Sequence, residues 1–148
     1  MTTELLNNPN FDYRFLKGKQ ESIVTVLRGT DAATATNYDI FWIAPKECYL
    51  VSAIEAHKTA GSDAGAVTLT LERLLDGVAL DSGVAMLDGT FDLKGTANTF
   101  QEKYPVNTFT SGISDRAIPK GSRIALKDSG TLTAVNHVVL TIVVQYTI

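Results

Sequence analysis

The chain has 148 residues, 45% of them hydrophobic and 20% charged, and 13 basic residues stand against 16 acidic ones for a net charge of −3. A domain of this size hides about two-thirds of its unfolded surface and needs no covalent staples, and the composition is too apolar for a disordered chain. The acidic balance argues against a general nucleic-acid binder, which needs a surplus of Lys and Arg facing the phosphates.

Cys48 is the sole cysteine, so an intramolecular disulfide and a four-cysteine zinc site are both ruled out, as suits folding in a reducing cytoplasm. Residues 1–10 lack the basic and apolar regions of a signal peptide. The longest apolar stretch, Val138 to Val144, falls far short of the ~20 residues of a membrane-spanning helix. Neither export by a standard signal nor a place in the membrane is expected.

In chain order, residues 1–20 read as an extended arm. Phe11, Tyr13 and Phe15 alternate there with Asp12 and Arg14, so the three rings share one side of an extended segment and form a candidate docking element for a partner. From Ser22 onward the period is two. Tyr38 to Ile43 is apolar on both faces, which predicts a strand covered from both sides. In Tyr49 to Lys58, Leu50, Ile54 and Ala56 are expected on one face and Glu55 and His57 on the other.

Thr59 to Ala66 is a turn-rich loop of small residues. Val67, Leu69 and Leu71 alternate with Thr68, Thr70 and Glu72 in the most regular strand of the chain. Asp76-Gly77 signals a tight hairpin. Leu80 to Lys94 admits a short helix plus coil, and 96–104 and 106–110 are weaker strand candidates. Pro119-Lys120-Gly121 is a turn leading into Arg123 to Lys127. His137 to Ile148 closes the chain with Val138, Leu140, Ile142 and Val144 on one face. Short strands with turns about every ten residues predict an all-β, antiparallel β-sandwich over 21–148. Trp42, Leu69, Leu71, Leu140 and Ile142 are its expected core.

Candidate chemistry is sparse. Glu55 and His57 project from one strand face, yet no third ligand accompanies them, and a solvated or interfacial polar pair is the expectation. His137 reads as an edge residue. Gly61 to Gly65 places Asp63 where a nucleophile elbow needs Ser. Asp88 and Asp92 lack the ligand series of a calcium loop and read as solvated turn carboxylates. Cys48, beside Glu47 and Lys46, reads as a half-buried small residue. No catalytic residue, cofactor or metal is expected.

The segments 41–45, 52–57, 66–74, 91–99 and 123–132 resemble, in that order, a group of tailed-bacteriophage virion proteins: jelly-roll-like sandwiches of the capsid decoration, head-fibre or minor structural type. The resemblance spans roughly Asp39 to Ile148. It implies a jelly-roll-like fold and a non-enzymatic virion component, made in the host cytoplasm. Such a component is commonly a homotrimer that sits on the major capsid protein or other virion proteins through its N-terminal side. An auxiliary decoration protein on the head surface is the leading expectation. A tail or fibre component, with a receptor- or glycan-binding tip, is the alternative.

Overall fold

A computed structural model describes residues 19–27 and 40–147, and these contain twelve strands and no helix. The longer strands are β1 (Gln20–Leu27), β2 (Ile40–Ile43), β3 (Cys48–Thr59), β4 (Thr68–Leu74), β7 (Phe100–Lys103), β11 (Arg123–Ser129) and β12 (Asn136–Tyr146). Five two-residue strands complete the set: β5 (Val84–Ala85), β6 (Phe91–Asp92), β8 (Phe109–Thr110), β9 (Ile113–Ser114) and β10 (Ala117–Ile118). β1 reaches back to Gln20, and Lys19 O accepts a bond from Tyr146 N at 3.1 Å.

The first sheet runs β1-β12-β3, and the far edge of β3 is shared between β7 and β10. The second runs β2-β11-β4, with β5 and β6 sharing the far edge of β4. Strands β1 to β4 thus alternate between sheets, and the two last strands insert between earlier ones. That order is a jelly roll, two Greek keys wound into a sandwich. The antiparallel β-sandwich expected from the sequence is what the chain forms.

The alternating strands bury the faces their patterns foretell. Leu69 and Leu71 of β4 and Val138, Leu140, Ile142 and Val144 of β12 are fully buried, packed with Leu50, Phe91, Ile124 and Leu126. Trp42 departs from expectation. It only half-buries itself against this core, because among the described strands β2 lies at the margin of its sheet, next to β11, and Ile43 beside it is 60% exposed. A run apolar on both faces here marks a sheet margin, not a strand covered twice.

Three further departures have local causes. The stretch Leu80 to Lys94 holds no helix, because its backbone is committed to β4 and the residue before it: Met86 N bonds Leu71 O and Leu93 N bonds Val67 O, both near 3 Å. The Asp76-Gly77 turn forms, with Val78 N on Leu75 O at 3.0 Å and Gly77 at φ 77, but the hairpin is not tight. β5 pairs only at Glu72↔Ala85 and Arg73↔Val84, and the long connection folds over buried Glu72, whose carboxylate accepts from Asp81 N at 2.7 Å and Gly83 N at 3.0 Å. A side chain at Gly83 would sit 2.6 Å from Arg73 O, so this close pass needs glycine.

The third departure decides the character of the first sheet. Val143 pairs Ser52 but Val144 pairs Leu50, so β3 carries one extra residue at Val51. A bulge shifts phase, and every side chain beyond it changes face. Leu50 therefore points inward, as do Ala53, Glu55 and His57, while Ile54 and Ala56 turn outward, separated from the face of Leu50 that the sequence assigned them.

Candidate interaction surface

The bulge buries Glu55 and His57 completely, which corrects the expectation of a solvated or interfacial pair. His57 Nδ1 lies 2.9 Å from Glu55 Oε1, and Nε2 lies 3.1 Å from Gly95 O. A carbonyl only accepts, so Nε2 carries hydrogen and donates to it. One further proton must then lie between Nδ1 and the carboxyl. Burial pushes the Glu55 carboxyl above its usual range, opposed by the hydrogen bond from His57 and by one from Gln101. Gln101 Nε2 donates to Glu55 Oε2 at 2.9 Å and to Asp92 O at 2.8 Å, and its Oε1 accepts from Asp92 N at 2.9 Å. Side-chain amide and backbone groups make up these contacts, so the pair fastens the segment 92–101 to β3 and no nucleophile joins it.

The remaining chemical candidates are dispersed. Cys48 is fully buried, not half-buried, and burial with the nearby charges of Glu21 and Glu47 pushes its thiol up to about 12. Such a thiol is not a nucleophile. Asp88 and Asp92 are exposed, and His137, second in β12, is exposed at φ 54. Among the described residues no three His, Cys, Asp or Glu side chains come together as metal ligands. Phe11, Tyr13 and Phe15, like Tyr38, lie outside the described residues.

What the fold does display is apolar surface. On the outer face of the first sheet, register aligns Val26, Val139, Ala56 and Phe100 in one row and Val24, Thr141, Ile54 and Glu102 in the next. Val24 is 57% exposed and Phe100 72%. Scattered exposed hydrophobic residues are normal, but a contiguous row across four strands is less common on a free surface. Its ingredients are in the sequence, though the phase shift at Val51 hid them.

A second apolar projection is built rigidly. β8 and β9 form a hairpin through Ser111 (φ 52) and Gly112 (φ 78), the left-handed pair of a type I′ turn. Its base is held by buried Arg73 from β4, whose Nη1 donates to Ser114 O at 2.8 Å and Ala117 O at 2.6 Å. Thr108 Oγ1 also donates to Asp115 Oδ2 at 2.5 Å, and that bond holds the Asp115 carboxyl below its usual range. On this hairpin Phe109 stands 72% exposed. A two-residue strand has no period to read, so the sequence offered only a weak signal for it.

Neither the protein-family models nor the curated proteins contain a match to this sequence. Solved structures do match in fold. A chain of the capsid of Ralstonia phage GP4 superposes with a TM-score of 0.60 at 13% identity, over 89% of this chain and 87% of that one. A chain of the cyanophage Pam1 capsid asymmetric unit gives 0.58 at 10% identity, over 94% and 91%. At these identities the likeness establishes the fold: this chain shares a jelly-roll architecture, nearly end to end, with chains of two phage capsids.

Proposed function

We propose that the chain is a non-enzymatic structural protein of a tailed-phage virion, an auxiliary decoration protein carried on the head surface as a homotrimer. The observation that carries this reading is the near-complete fold match to chains of two phage capsids. Fold alone does not assign function. The apolar outer face of the first sheet and the projecting Phe109 add surface of the kind that assembly buries. The buried Glu55–His57 pair, bonded to Gly95 O and Gln101, fits a packing role for these two residues. The segment before β1, with Phe11, Tyr13 and Phe15 as anchors, supplies the docking arm toward the major capsid protein or another virion protein.

Cryo-electron microscopy of the parent particle tests the location, with density for this sandwich expected on the head shell in groups of three. Density confined to the tail would reject the decoration role in favour of a tail or fibre component. Removal of residues 1–18, which spares β1, is expected to leave melting unchanged and to abolish attachment to particles. Full occupancy by the truncated protein would reject the docking role of the arm.

A further inference from the structure

At one end of the outer face of the first sheet lies an open recess of about 400 Å³, at the lower end of the range for small-ligand sites. Its floor is Ala56 and Val139, paired across β3 and β12. Phe100, opposite Ala56 on β7, forms one wall with its ring largely bare. Lys58, His137, Asn98 and Thr99 make up the polar rim, and among the described residues no carboxylate lines the recess. Lys58 is exposed and has no ion-pair partner among the described residues. Two of the four rim residues hold left-handed backbone without being glycine, Asn98 at φ 60 and His137 at φ 54. Such conformations cost free energy and cluster where binding requires them.

We infer that this recess is a saccharide-binding site with a preference for acidic sugars. A pyranose has one face of C–H bonds and a rim of hydroxyl groups. The C–H face suits the negative face of a single exposed ring, and the hydroxyl rim suits amide, ammonium and imidazole groups set around an apolar floor. A lysine with no acid paired to it among the described residues adds attraction for a carboxylate or phosphate substituent on the sugar. The rim is fixed to the sheet by backbone bonds, so the site is preformed: Asn98 N bonds His57 O at 2.8 Å, and Phe100 pairs with Ala56 in the β3–β7 ladder. The inference is independent of where on a virion the chain sits.

The test is a two-dimensional amide NMR titration of the full chain with galacturonic acid, N-acetylneuraminic acid and 3-deoxy-octulosonic acid, and with galactose as the neutral control. Saturable shifts confined to Lys58, Asn98, Thr99, Phe100 and His137 are expected with at least one acid, at millimolar affinity, and weaker ones with galactose. Phe100→Ala removes an exposed ring and should leave the spectrum dispersed while weakening binding roughly tenfold. Lys58→Gln should bring the acid down to the affinity of the neutral sugar. No saturable shift with any of the three acids would overturn the proposal, as would shifts that persist unchanged in Phe100→Ala.

Discussion

Replacing His57 by Leu tests whether the buried polar network supports the fold. The substitution removes the group between Glu55 Oε1 and Gly95 O, which lie 2.9 and 3.1 Å from its two ring nitrogens. A buried polar group left without a partner costs about 1–3 kcal/mol, and breaking one side of a buried charged pair about 3–5 kcal/mol. Glu55 relieves part of that loss by keeping its proton, which burial already favours. The expected destabilisation is about 2–4 kcal/mol. With a urea dependence near 2 kcal/mol per molar, the unfolding midpoint should fall by about 1–2 M. Fluorescence of the single Trp42 follows the transition. Glu55→Gln keeps a donor toward His57 and should move the midpoint much less. The double variant Glu55→Leu with His57→Leu should be more stable than the sum of its single changes predicts, by about 1–3 kcal/mol. A His57→Leu midpoint within ~0.3 M of the parent, or strict additivity in the double variant, would refute the network's role.

Asp128 offers a pH test. Among the described residues no other residue hydrogen-bonds its carboxyl oxygens, and burial pushes the group above its usual range, opposed by its own backbone N–H and aided by the charge of Asp81. The folded chain then holds this proton to higher pH than the unfolded chain, so its contribution is complete below about pH 4 and is lost as pH rises through the raised value. Asp128→Asn should therefore melt higher than the parent at neutral pH, with the advantage shrinking toward about pH 4; a variant less stable at neutral pH would contradict this. Glu55 contributes a slope of the same sign, and Asp115, held low by Thr108, one of the opposite sign. Cys48 should resist a disulfide reagent in the folded protein and react in urea, and rapid labelling under native conditions would show that the β3–β10 margin opens. Gly130 sits at φ 89 with the position of a Cβ overlapping Ala66 O, so Gly130→Ala should lower the melting temperature by several degrees, and an unchanged value would mean the adjoining loop yields freely.

Much of this architecture is written in local pattern. Period two in β4 and β12 names the inward set Leu69, Leu71, Leu140 and Ile142, because a pleated strand with one buried face leaves no other arrangement for its apolar residues. Turns at Gly77, Gly121 and Gly130 follow from backbone that only glycine enters cheaply. Composition and spacing also suffice to set aside the familiar catalytic motifs. The surface is another matter. A single extra residue at Val51 sends Glu55 and His57 into the interior and Ile54 and Ala56 outward, and a bulge leaves no trace in the alternation of one strand since it exists only relative to β12. Whether Trp42 lies in a central strand or at an edge depends on which strands flank it, a property of the sheet order and not of residues 40–43. The outer apolar row, the recess beside Phe100 and the Arg73-anchored hairpin each join residues far apart in the chain. Pairing partners are chosen by the packing of the whole sandwich, so these features came into being only when the sheets closed.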